Sequence, residues 1–177
     1  MTAILIKQTE TPPSAYKTVT VLSSAAAALD AGAIWQRIEN WIAYRWPVRT
    51  VTWIVEGCGL FVPPLAQWDI DTIEKAGTAW TTADLVYNVT GVWLEGETYR
   101  VTAQVGSNDD LPDAVAESYR RLAEYLAEVD KTMPAGVMRF SDSIGPLTTT
   151  TTRATQAKAQ ALQLSGAADL LRPWRTA

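Results

Sequence analysis

"RTVTWIVEG", residues 49–57, is the stretch on which the fold turns. It alternates, with Val51, Trp53 and Val55 on one side, and period-two patterning marks a half-buried strand. "GLFVPPLAQW" at 59–68 follows, and its paired prolines suit a sheet edge or a corner. Residues 69–106 then divide into short runs separated by the turn candidates "KAGT", "NVTG" and "EGET". "GCG" at 57–59 reads as a further turn between strands. The spacing predicts an antiparallel β module over 48–106.

On both sides of this module the period changes. Upstream, residues 1–22 read as an extended arm. "TPPS" at 11–14 resists helix, and "KTVTVL" at 17–22 reads as a short strand. Ser23 or Ser24 is a candidate N-cap for the alanine run that follows. Ile34, Ile38, Trp41, Ile42 and Arg45 recur at helical spacing, which predicts a helix from about 31 to 45 ended by Pro47.

Downstream, Leu111, Val115, Tyr119, Leu122, Leu126 and Val129 form one apolar stripe of a helix over 112–130. Its acidic start suits the helix dipole, and Glu117–Arg121 and Arg120–Glu124 are spaced for ion pairs. Residues 132–152, with proline, glycine and a threonine run, read as a flexible loop. An Ala- and Gln-rich helix begins at Arg153. Gly166 breaks it, and a short helix "AADLLR" is stopped by Pro173.

The expected architecture is therefore α+β. A small bundle of three main helices (24–46, 112–130 and 153–172) carries the inserted β module. In domain terms, 1–22 is the arm, 23–47 with 107–131 the helical core, 48–106 the β module, 132–152 the loop, and 153–177 the C-terminal helix and tail.

Composition narrows the chemistry. The 177 residues suffice for a core that buries roughly 70% of the unfolded surface. The net charge of −4 argues against a dedicated nucleic-acid binder. The chain has no histidine, which removes the commonest general base and metal ligand. It has one cysteine, Cys58, so neither an internal disulfide nor a Cys/His zinc site is available. No apolar run is long enough for a transmembrane helix, and the N-terminus lacks the pattern of a secretory signal.

Asp69, Asp71 and Glu74 cluster in sequence and could serve acid/base or cation chemistry, but a polar strand face beside a turn explains them. "SNDD" at 107–110 lacks the glycine and terminal glutamate of a calcium loop. No nucleophile elbow or phosphate loop is present. The expectation is no enzyme, no cofactor and no metal. Two features point to contact instead. The eight tryptophans supply large anchors for a core and for interfaces, and Arg45, Arg49, Arg172 and Arg175 flank aromatics.

"SGAADLLRPWR" at 165–175, with "IWQRIENWIAYRW", "LPDAVAESYRRLAEYLAEV" and "PVRTVTWIVEGCGLFVPPLA", resembles the head–tail connector (adaptor) proteins of tailed bacteriophages and gene transfer particles. The likeness covers most of the chain and is weakest over 1–25, where "TPPSAYKTVTVL" departs from the family pattern. The resemblance implies a structural virion protein located at the neck. It would form a ring, usually of twelve copies, beneath the portal protein. The ring would extend the DNA channel without sequence-specific contact and offer a surface to a stopper or tail terminator. No membrane partner is implied. By position, the portal-docking segment of the family falls on Ala167, Leu170, Leu171, Arg172, Pro173, Trp174 and Arg175. The alternatives are another neck or tail-completion protein, or a Trp-rich module that binds ligands such as sugars.

Overall fold

The computed structural model describes residues 3–132, 139–144, 147–152 and 158–175. The chain forms two units. One comprises Ala43–Asp109 with the N-terminal segment through Lys17, and the other comprises Thr18–Ile42 with Asp110–Arg175.

Two long strands dominate the first unit: β2 (Arg49–Phe61), which follows β1 (Ile4–Glu10), and β6 (Gly91–Val105). They pair antiparallel along their whole length, from Arg49 opposite Val105 to Phe61 opposite Val92. With β3 (Trp68–Lys75), β4 (Thr81–Thr82) and β5 (Tyr87–Asn88), they form a six-stranded sheet ordered β1-β2-β6-β3-β4, with β5 on β6. Every pairing is antiparallel. Alternation supplies the core: Val51, Trp53 and Val55 of β2 and Tyr99, Val101, Ala103 and Val105 of β6 are buried. The opposite face is polar, with Arg100 paired to Glu74 at 2.6 Å.

The second unit is helical. α1 (Ser24–Ala27) and α2 (Ala31–Ile42) precede the long α3 (Asp113–Thr132). Strands β7 (Arg139–Ile144) and β8 (Leu147–Thr152) follow, then α4 (Ala161–Leu164), α5 (Ala167–Leu170) and a 3-10 turn over Arg172–Trp174. The apolar stripe of α3 is buried at Val115, Tyr119 and Leu122, and the small residues Ser118, Ala123 and Ala127 are buried with it. Trp35 of α2 packs on Tyr119 with ring centres 5.1 Å apart.

The expected three-helix bundle with a β insertion is overturned. A six-stranded antiparallel sheet is the principal element, and the helices are short apart from α3. The cause lies in the caps. Ser23 Oγ accepts from the Ala26 N–H and starts α1, while Asp30 Oδ1 accepts from the Gly32 N–H and starts α2. Two N-caps thus divide the expected 24–46 helix. It ends at Ile42, before Pro47, because Ala43 turns left-handed at φ 54°. The third helix is reduced to α4 and α5, separated by Gly166 at φ 73°, a conformation glycine takes without a Cβ penalty. Residues 153–157, where it was expected to begin, lie outside the described residues.

Other elements also differ. The N-terminal arm is in part the edge strand β1, and the strand expected at 17–22 is irregular. "GCG" and "EGET" do not turn. They continue β2 and β6 through a register shift between Gly57 and Cys58 that leaves Gly96 unopposed. A bulge of this kind absorbs an extra residue without ending a strand. The stretch read as a loop over 132–152 carries the β7–β8 pair.

Candidate functional site

The C-terminal segment is laid down by successive tight turns. Leu171 N–H donates to Ala167 O at 3.2 Å, Trp174 N–H to Leu171 O at 3.1 Å, and Arg175 N–H to Arg172 O at 3.2 Å. Pro173 at the start of the 3-10 turn supports this course, since its ring already holds a helical φ. α5 packs on α3, and Ala167 and Leu171 have no exposed surface.

The seven residues singled out from the sequence therefore separate. Ala167 and Leu171 are core residues of their own unit, Leu170 and Trp174 are half-buried, and Arg172, Pro173 and Arg175 face solvent. Only the last five offer surface to another molecule without unpacking the chain.

Beside this segment lies a cleft of about 270 Å³, lined by Trp41, Gln163, Asp169, Arg172 and Arg175 among others. The Arg175 guanidinium sits 4.8 Å from the centre of the Trp41 ring. Arg172 reaches Asp169 only at 3.9 Å, and its side chain is 82% exposed. The indole N–H of Trp41 is withdrawn from solvent and has no hydrogen-bond acceptor among the described residues.

Trp41, Gln163 and Asp169 were missed as site residues. Trp41 falls on the apolar stripe of α2 and reads as core. The Asp169–Arg172 spacing was visible in sequence, but the proximity of both to Trp41 depends on the fold.

The other two flanking arginines behave differently. Arg45 grips Glu10 through two hydrogen bonds, Nε to Oε2 at 2.7 Å and Nη2 to Oε1 at 2.8 Å. Arg49 lies 3.8 Å from the same carboxylate and 5.6 Å from the Tyr16 ring centre. Both arginines are buried, so they anchor β1 and its continuation. The hydrogen bond from Arg45 holds the Glu10 carboxyl below its ordinary range, against the opposing effect of burial.

The candidate carboxylates at 69–74 share the polar face of β3, where two of them are engaged by the sheet itself. Asp71 accepts from Gln104 Nε2 at 2.7 Å, Glu74 pairs with Arg100, and Asp69 is exposed. Asp69 stands opposite Gln104 in the ladder and Asp71 bonds to the Gln104 side chain, so the two share a face as expected, and the register shift between Ile70 and Thr72 does not part them. No metal-binding group of acidic or cysteine residues occurs among the described residues. Cys58 is half-buried within β2.

The sheet unit carries a second cleft of about 440 Å³, lined by Gln67, Trp68, Asp69, Tyr87, Asn88 and Val89. Nearby on the sheet, Trp93 is 53% exposed and stands opposite Leu60. No family model, curated protein or solved structure matches the chain.

Proposed function

We propose that the protein is a structural virion component of the head–tail adaptor type, which works by assembly. It would form a ring under a portal protein, line the DNA path, and present a surface to the next neck or tail protein. The observation that carries the reading is the C-terminal segment. Its "LLRPWR" ending, the most distinctive point of the resemblance, holds Arg172, Pro173 and Arg175 outward on a backbone anchored by buried Ala167 and Leu171. Arginine and tryptophan in such a setting are typical anchors of protein interfaces. The acidic charge of the chain suits a channel wall past which DNA must slide.

Truncation after Ser165 would be a poor test, because it removes two core residues. The cleaner variant is the double charge reversal Arg172→Glu, Arg175→Glu at exposed positions. Particles assembled with it, viewed by electron microscopy, should give emptied heads and detached tails while the variant protein stays folded and off the heads. Normal tailed particles would overturn the reading.

A second reading, a ligand-binding module, has one observation in its favour. The larger cleft places Trp68 and Tyr87 beside Asp69, Asn88 and Gln67, and aromatic faces with a few polar groups suit a sugar. Tryptophan fluorescence titrated with a panel of glycans tests it, and flat curves would dismiss it.

A further inference from the structure

We infer that the cleft beside Trp41 is a carboxylate-binding site, filled in the assembled state by an acidic side chain of the partner that the C-terminal segment meets. The inference rests on the adaptor reading for the occasion of that contact. The chemistry of the cleft stands apart from it.

The first observation is the Trp41 indole N–H, buried and without an acceptor among the described residues. Leaving such a donor unpaired is costly, and folded proteins carry few of them. Trp41 lines the cleft, so a molecule seated there changes the surroundings of this donor.

The second observation is the pair of cations that line the same cleft. Arg172 and Arg175 donate no side-chain hydrogen bond to any described residue. One makes a long ion pair, and the other stacks on Trp41. A guanidinium matches a carboxylate in shape and can bind it through two parallel bonds. The stack also pre-orients Arg175, which reduces the freedom lost on binding.

Charge selects the ligand. Two arginines and Asp169 leave the lining with one net positive charge. A single carboxylate balances it. A phosphate, with about −1.5 to −2 charges, would meet Asp169 with an excess. The cleft is thus matched to glutamate or aspartate in preference to inorganic phosphate or a phosphate monoester.

The test uses the full chain labelled with 15N. The Trp41 indole resonance is assigned by its loss in Trp41→Phe, and by its shift in Arg175→Gln should the first variant not fold. A hexaglutamate peptide with blocked ends is then titrated at constant ionic strength. We expect a saturable shift of the Trp41 indole proton, with apparent affinity weakened about tenfold or more in Arg175→Gln, since a hydrogen bond to a charged group is lost. Inorganic phosphate should leave the resonance in place. Absence of a shift, an equal response to phosphate, or an unchanged affinity in Arg175→Gln would overturn the inference. Any of these would leave the adaptor reading standing, because that reading is decided by the particle phenotype of the charge-reversed variant.

Discussion

The Arg175 guanidinium lies over the face of Trp41, 4.8 Å from the ring centre. The contact joins the last described residue of the chain to a helix that ends at Ile42. It closes the C-terminal segment against its own unit and sets one wall of the cleft.

Because Arg175 is exposed, the stack should contribute modestly, about 0.5–1 kcal/mol. Arg175→Ala should lower the urea midpoint by an amount of that size without altering the far-ultraviolet spectrum. A loss several times larger would mean that Arg175 holds more than the ring.

Leu171 should behave quite differently from its neighbour. It is fully buried, so Leu171→Ala leaves a cavity and should cost about 2–5 kcal/mol. Arg172→Ala, at a side chain 82% exposed, should stay within about 0.5 kcal/mol of the parent. Urea unfolding of the two single variants checks the contrast. Equal effects would show that Leu171 is not packed as described.

Glu10 ties β1 to Arg45, and its carboxyl is held below the ordinary range chiefly by that hydrogen bond. A carboxylate whose pKa is depressed on folding stabilises fully above its unfolded pKa, and the contribution is lost as pH falls through the folded value. Stability should therefore decline as pH falls below about 4.5, the ordinary glutamate value. Glu10→Gln should remove that part of the decline and cost about 2–3 kcal/mol at neutral pH, because Arg45 is left buried without its counter-ion. Urea midpoints of parent and variant across the acid range test both points. Parallel curves would show that Glu10 does not report the pair.

Gly106 sits at φ 99°, and a Cβ there would lie 2.3 Å from the carbonyl oxygen of Arg45. Gly106→Ala should destabilise by more than about 2 kcal/mol, since backbone must move to admit the methyl. Gly77, whose Cβ would meet its nearest neighbour at 3.4 Å, should accept alanine almost without cost. Thermal melts of the two alanine variants make the comparison.

Much of the local structure was legible. The alternation of Val51, Trp53 and Val55 and the apolar stripe of α3 each led to the observed element and its buried face. The Glu117–Arg121 pair forms at 3.0 Å. The companion pair does not. Arg120 turns to Glu117 at 2.7 Å, and Glu124 accepts from the backbone N–H and the hydroxyl of Ser23, which holds its carboxyl below the ordinary range. Helical spacing permits an ion pair, but a better partner from another segment displaces it.

The sequence by itself determined where the chain alternates, where it winds, and where Ser23 and Gly166 punctuate it, because caps and periodicity act over a few residues. Only the tertiary structure decided that "ILIKQTE" would add a strand to β2, more than 40 residues away, and that "GCG" and "EGET" would pass through a bulge instead of turning. Strand pairing is a long-range choice, and a bulge is defined by its partner strand. The site follows the same rule. The arginines of the tail were visible as residues, whereas the unpaired donor of Trp41 exists only once folding has withdrawn that indole from water.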